Sequence, residues 1–433
     1  MMRLEEIENG LLDDRTKGIP GGTAPFPLGE IGRRGWNVLR EDLQLPVAVL
    51  KESALAHNSR WMQRFLEASG ALLAPHGKTT MAPQLFRRQL DDGAWGITVA
   101  TVHQLQICRR FGVQRVVLAN QLIGREAIRY LLDELQRDPE FDFYCLVDSL
   151  EGVQLLADAA RERAIARPLQ LLVEGGFRGG RTGARNLDGA LEVARAVKRA
   201  EPYLTLRGVE GFEGLIPGAT GEELEARVTD FLDFLVEVAL ACEAEGLFAD
   251  GPLLLTAGGS SFYDLVVRRF AAAGMERDVR VVTRSGCYLT HDSRIYRDAF
   301  HHLRERSPEV EALGPGLQPA LEVWSYVQSR PEPERAILTM GKRDCSFDAG
   351  MPVPLAWYRA GTHPEPQRLD HGYEITALND QHAFLRVPED SPLGVGDLIA
   401  SGISHPCTTF DRWQLLFVVN DAYDVVSAVR TFF

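Results

Sequence analysis

The chain has 433 residues, 45% of them hydrophobic, and a net charge of −13 from 47 basic and 60 acidic side chains. That length suits two domains, or a barrel with an appended module, and the acidic balance repels nucleic acid and anionic membrane, so neither is expected as a partner. No apolar run approaches the ~18–20 residues of a spanning helix. The opening MMRLEEIENGLLDDRTKG is acidic and lacks the apolar core of a signal peptide, so a cytoplasmic location is expected.

Residues 1–44 contain GIPGGTAPFPLGE and read as an irregular N-terminal arm, expected to pack on the C-terminal part of the chain. From Leu45 the texture becomes an alternation of short apolar runs with helical stretches. The runs are LPVAVL (45–50), ALLAPHGK (71–78), WGITVAT (95–101), RVVLAN (115–120), FDFYCLVDS (141–149), LQLLVEGG (169–176), LTLRGVEGFEG (204–214), PLLLTAGGS (252–260) and RVVTRSG (280–286). Continuous apolar strands alternating with helices imply a parallel sheet buried under helices. Eight or nine strands between residues 45 and 290 predict an α/β fold, a (β/α)8 TIM-type barrel of ~250 residues. A doubly wound open sheet is the structural alternative, but no G-x-G-x-x-G follows the first strand. Residues 291–433 carry short alternating runs (PALEVWSYVQSR, ERAILTMG, GYEITALND, QHAFLRV, DLIASGI) separated by Pro, Gly, Asn and Asp, which predicts a C-terminal antiparallel β domain.

Reactive groups of barrel enzymes sit at strand C-termini. APHGKTTMAP (74–83) puts Lys78 at such an end, where partial desolvation would lower its pKa and free the amine for Schiff-base chemistry. Read alone, the local sequence favours an exposed lysine capping a strand over a reactive one. EGGFRGGRTGAR (174–185), TAGGSSFYD (256–264) and TRSGCY (283–288) also end apolar strands. The glycines and hydroxyls of the last two suit a phosphate cradle, although Gly-Ser loops are common. In SGISHPCTTFDRW (401–413), His405 and Cys407 stand at i, i+2 and suit a borderline-soft ion such as zinc. Two ligands are too few for a structural site and fit a catalytic one. The other cysteines (Cys108, Cys145, Cys242, Cys287, Cys345) show no paired spacing and read as reduced thiols. His382 reads as a structural histidine or a group near the metal, and Arg284 and Arg343 as substrate-carboxylate binders or salt-bridge partners.

The order LPVAVL, PHGKT, Arg-Thr-Gly, GGS, SGCY and H-x-C resembles the D-serine dehydratase / D-threonine aldolase family of alanine-racemase-like, fold type III pyridoxal-phosphate enzymes, from about residue 20 to the C-terminus. The resemblance implies pyridoxal 5'-phosphate as cofactor, with Lys78 as its Schiff-base lysine and the Cα-proton base. It places Arg181 near the cofactor's phenolic oxygen, and Gly258, Gly259, Ser260, Gly286, Cys287 and Tyr288 at the phosphate. RGVEGFEG (207–214) departs from the pattern, since Glu210, Phe212 and Glu213 stand where relatives carry Tyr, His or Gln. Glu210 is assigned to the pyridine nitrogen, with a structural glutamate as the alternative. His405 and Cys407 become ligands of a divalent metal, Zn2+, that polarises the leaving hydroxyl. Cys407 favours a dehydratase acting on a β-hydroxy D-amino acid such as D-serine or D-threonine and giving a 2-oxo acid and ammonia. The alternatives are a D-threonine-type aldolase giving glycine and an aldehyde, and an amino-acid racemase, which would have no use for H-x-C. The resemblance also implies a homodimer acting on a small D-amino acid.

Overall fold

The computed structural model describes residues 2–217 and 221–433. Eight parallel strands close on themselves: β1 (Leu72–Leu73), β2 (Ile97–Val99), β3 (Arg115–Gln121), β4 (Asp142–Val147), β5 (Leu169–Gly175), β6 (Leu204–Gly211), β7 (Leu253–Ala257) and β8 (Val279–Thr283). Each pairs with its sequence neighbour from β2 to β8, and β8 pairs with β1. A parallel bridge between His76 and Thr98, with the Thr98 N–H donating to the Pro75 carbonyl at 2.9 Å, shuts the gap between β1 and β2. The result is a TIM-type barrel. Most of its strand residues are buried on both faces, Leu253–Ala257 along its whole length, and that is why their sequences read as apolar runs.

The helices between strands begin where the chain supplies caps. Thr101, Ser149 and Asn186 each accept the N–H of the residue three positions on, starting helices Val102–Arg110, Leu150–Glu162 and Leu187–Arg199. Such caps contribute about 1 kcal/mol each.

The C-terminal domain is antiparallel and is organised on the long strand Leu321–Glu332. That strand pairs with Leu398–Gly402 along one stretch and with Arg335–Leu338 along another. It also takes Val47–Lys51 as an antiparallel neighbour, with Leu321 opposite Leu50 and Val323 opposite Ala48. Val47–Lys51 was expected to open the barrel. It belongs instead to the C-terminal sheet, paired on its other edge in parallel with Leu415–Val419. Its four fully buried residues, Val47 to Leu50, satisfy a buried strand in either sheet, so local patterning does not distinguish the two. The barrel therefore starts at β1, and the helix Glu52–Ser69 carries the chain from one domain to the other.

The arm touches both domains. Asn37 bridges to Asp424, and Lys17 bonds Asp344 at 2.5 Å while lying 3.5 Å over the Trp413 ring. At its start, the Arg3 N–H donates to the Phe111 carbonyl at 2.9 Å and Glu6 pairs with Arg110 on the barrel.

Candidate active site

Every strand-end loop singled out from the sequence lies at the C-terminal mouth of the barrel, because parallel strands all end on one side. Lys78 sits in a single turn of 3-10 helix, Gly77–Thr79, directly after β1. Gly77 packs tightly there, since a Cβ would stand 3.0 Å from both Ile97 and Phe86 and would push on those side chains. The Lys78 side chain is exposed rather than desolvated. Beside it the half-buried His76, in the same PHGKT motif, has a buried Nδ1 without a hydrogen-bond partner among the described residues. Burial, then the charges of Lys78, Arg284 and Arg181, hold its pKa well below the usual range. Three cations thus converge on one end of the barrel around a neutral imidazole. The sequence reading passed over His76, although it lies two residues before the lysine.

The loop after β8 packs on the Lys78 turn. A Cβ on Gly286 would come within 2.5 Å of Thr79 Oγ1 and 2.7 Å of the His76 carbonyl, so only glycine allows this approach. The Cys287 N–H donates to Ser260 Oγ at 3.3 Å and Ser285 Oγ donates to the Gly259 carbonyl at 2.8 Å, tying the β8 and β7 loops together. Ser260, Gly286 and Cys287 are therefore neighbours. Tyr288 is turned away: its side chain bonds Gln89 and its ring is buried in a core outside the barrel mouth.

Two glutamates explain the departure at RGVEGFEG. The Glu213 carboxylate, wholly buried, accepts the N–H groups of Gly258 and Gly259 at 2.9 and 3.1 Å. The anion-binding pair expected for a phosphate is thus occupied by the protein's own carboxylate. Glu210, 1% exposed, pairs with Arg284, which is 4% exposed and also donates to Thr256 Oγ1 at 2.9 Å and the Gly211 carbonyl at 3.1 Å. The second oxygen of Glu210 has no partner. Burial pushes the Glu210 carboxyl up to about 8 against the pull of Arg284, and burial likewise raises Glu174 and Glu213. Glu174 accepts Thr182 Oγ1 at 2.6 Å and a bond from Gln121. Three carboxyls around one guanidinium form a polar floor under the mouth.

Arg181 is exposed, with its guanidinium 4.7 Å from the Phe212 ring centre. Together with Glu174, Phe177, Thr182 and Leu215 it lines a cavity of about 290 Å3.

The β domain closes over this mouth at the predicted pair. Cys407 Sγ lies 3.5 Å from Thr79 Oγ1 and 3.8 Å from Cys287 Sγ, so the residue next to Lys78 touches the H-x-C turn. His405 is held by its N–H, which donates to Ser346 Oγ at 3.0 Å, and by Nδ1, 2.7 Å from Asp348 Oδ2. Thr408 Oγ1 donates to the other Asp348 oxygen at 2.7 Å. The Cys287 thiol beside Cys407 holds the Cys407 thiol well below its ordinary value, with His405 and Thr79 adding to the effect. Cys407 in turn raises His405 to about 9, with Asp348 helping. Tyr296 approaches from the helix Ile295–Arg306, its ring 6.4 Å from that of His405 and its hydroxyl bonded to Cys287. Neither Tyr296 nor Asp348 was singled out from the sequence, since no local pattern marks them. His382 is exposed on the turn between Glu374–Leu378 and Ala383–Arg386, and Arg343 is exposed, 3.4 Å from Asp380.

These donors fit the groups expected. With Nδ1 bonded to a carboxylate, His405 has Nε2 left for a metal, the usual arrangement of a metal-binding histidine, and an acidic thiol is the form a metal needs. Among the described residues no three His, Cys, Asp or Glu side chains are arranged to hold an ion, so two protein ligands would leave positions open for substrate and water. The convergence of Lys78, Arg181 and Arg284 on the mouth suits an anionic, phosphate-bearing aldehyde.

Comparison with known proteins agrees. Residues 50–243 match the family model of the alanine racemase N-terminal domain, and residues 320–419 that of a putative serine dehydratase domain. The chain is 25% identical over 386 residues to a D-threonine aldolase from Arthrobacter sp., covering 87% of this chain and 89% of that one. It is 26% identical over 318 residues to the 3-hydroxy-D-aspartate aldolase of Paracoccus denitrificans, covering 72% and 75%. It is 27% identical over 252 residues to the D-threo-3-hydroxyaspartate dehydratase of a Delftia species, covering 54% and 65%. Among solved structures, the D-threonine aldolase from Filomicrobium marinum superposes with a TM-score of 0.73 at 21% identity, covering 90% of this chain and 95% of that one. A cysteine-to-alanine variant of the dehydratase, in a metal-free form, superposes at 0.71 and 20% identity, covering 92% of this chain and 99% of that one. Barrel, β domain and both family matches make the chain similar to the D-serine dehydratase / D-threonine aldolase family of alanine-racemase-like, fold type III pyridoxal-phosphate enzymes.

Proposed function

We propose that the protein is a pyridoxal-phosphate- and metal-dependent lyase of β-hydroxy D-amino acids that eliminates water to give a 2-oxo acid and ammonia. The observation that carries this reading is the contact between the Cys407 turn and the Lys78 turn, through Thr79 at 3.5 Å. It puts a basic amine and a pair of metal donors on one small substrate.

Lys78 Nζ would hold the cofactor and, once released, take the proton from Cα. The bound cofactor supplies the electron sink for the charge left at Cα. Arg181 offers a cation at the mouth for the cofactor's ring oxygen, and Ser260 with the Gly286 and Cys287 loop offers polar groups for its phosphate. Glu210, which burial disposes to carry a proton, would face the ring nitrogen only by sharing itself with Arg284. His405 Nε2 and Cys407 Sγ would hold zinc, whose Lewis acidity helps hydroxide leave Cβ. Tyr296, bonded to Cys287 and facing His405, would give the departing hydroxide its proton.

Retro-aldol cleavage to glycine and an aldehyde uses the same groups, with the proton removed from the β-hydroxyl instead of Cα. The match to the Arthrobacter aldolase over most of both chains favours that second reading. A product assay on D-serine, D-threonine and 3-hydroxy-D-aspartate separates them. Ammonia with a 2-oxo acid supports elimination, whereas glycine with an aldehyde replaces it by cleavage. A cytoplasmic homodimer is part of the proposal, and six free thiols suit a reducing compartment.

A further inference from the structure

Of the six cysteines, four are ordinary core residues. Cys108, Cys145, Cys242 and Cys345 are buried among apolar side chains, and none has a second sulfur against it among the described residues. Cys287 and Cys407 differ. One ends the loop after β8, the other opens the short turn Cys407–Phe410 of the β domain, and their sulfurs stand 3.8 Å apart although 120 residues separate them. Cys287 is 3% exposed, whereas Cys407 is half-buried and so the one a small solute meets first. Thr79 Oγ1 flanks both sulfurs, at 3.9 and 3.5 Å.

We propose that Cys287 and Cys407 form a reversible disulfide when the enzyme meets a peroxide, so that this pair is an oxidation site spanning the two domains at the active-site mouth. A disulfide needs its sulfurs at about 2.05 Å, so the pair must close by about 1.8 Å. The chemistry runs in two balanced steps. The Cys407 sulfur attacks hydrogen peroxide and the O–O bond breaks. Cys407 becomes a sulfenic acid, losing two electrons to the peroxide, and the first water leaves. The Cys287 sulfur then attacks the Cys407 sulfur. The S–S bond forms, the S–O bond breaks, and hydroxide leaves as the second water with the Cys287 proton. In sum two thiols and one peroxide give one disulfide and two waters. Cys287 thereby protects its neighbour, because a sulfenic acid with a thiol in contact is trapped before further, irreversible oxidation. The added consequence, loss of a metal ligand and of turnover, rests on the lyase reading above.

The test is to treat the purified full-length protein with hydrogen peroxide, both metal-loaded and after chelation, and to map peptides without reduction. A linked Cys287–Cys407 peptide is expected. Titration of the denatured protein should give four thiols in place of six, restored by dithiothreitol. In Cys287→Ser the link must vanish and Cys407 should pass to sulfinic acid, which dithiothreitol does not reverse. Six thiols after peroxide in both preparations, or a link between any other pair, overturns the proposal. Metal content measured on the same sample keeps the two readings apart. A disulfide in a protein that never held metal supports this inference and sinks the metal reading. A full metal complement with no disulfide in either preparation does the opposite.

Discussion

Arg284 reaches from the end of β8 to the carboxylate of Glu210 on β6, and both side chains are under 5% exposed. A buried ion pair is held against the cost of taking both charges from water, and losing one partner leaves the other unpaired. Here burial outweighs the guanidinium and raises the Glu210 carboxyl from 4.5 to about 8. The folded chain therefore binds this proton more tightly than the unfolded chain between those two values. Linkage then makes the contribution of Glu210 to stability fall as pH rises through that window. Denaturant unfolding followed from pH 5 to 8 should show that decline, and Glu210→Gln should flatten it. Arg284→Met removes the charge that pulls this carboxyl down, so Glu210 should keep its proton to a still higher pH and the decline should move upward out of that window. A decline left in the same window in Arg284→Met would remove the electrostatic account.

Glu213 braces the Gly258–Gly259 loop through two buried N–H groups. Glu213→Ala leaves both unpaired, at about 1–3 kcal/mol each, and should weaken pyridoxal-phosphate binding more than tenfold in a fluorescence titration. Glu213→Gln keeps one acceptor oxygen and should recover part of that affinity. Unchanged cofactor binding in Glu213→Ala would mean that the loop needs no brace.

Lys78 is the one cation of the Gly77–Thr79 turn. Borohydride treatment of the loaded protein should leave cofactor covalently attached after denaturation and washing. In Lys78→Ala no cofactor should survive the wash. Retention by the variant would reassign the attachment to another amine.

Asp348 fixes the His405 ring through Nδ1 at 2.7 Å. Losing such a support typically costs 10–100-fold in metal affinity, so Asp348→Asn should compete with a chelator that much less well. Cys407→Ala should bind no stoichiometric metal. Wild-type affinity in Asp348→Asn would show that the carboxylate is only a surface partner.

Much of the barrel was legible because a strand buried on both faces is apolar on both, and such runs alternate with helices, three of them capped by Thr101, Ser149 and Asn186. Lys78, His405 and Cys407 were singled out through the order of the strand-end loops and the resemblance rather than by their local sequence, and the fold brings their two turns into contact through Thr79. Val47–Lys51 was misplaced for the same reason that the barrel was found. Its apolar pattern announces burial but not which sheet it enters, and that choice depends on Leu321–Glu332, some 270 residues away. Tyr288 was grouped with the phosphate loop through the resemblance, yet it lies in the turn closed by the His291 N–H and the Cys287 carbonyl, and its side chain bonds Gln89.

The sequence by itself determined the order of strands and helices, the side on which the loops gather, and the residue types available for chemistry. These depend on local pattern and on the one-sidedness of parallel strands. Only the tertiary structure decided which charge meets which. Glu213 takes the glycine N–H pair, Glu210 pairs with Arg284, and Cys407 meets Thr79 and Cys287. Such contacts join residues far apart in the chain. Their strength depends on burial, which makes an unpaired charge costly and so selects one pairing among the many that the composition allows.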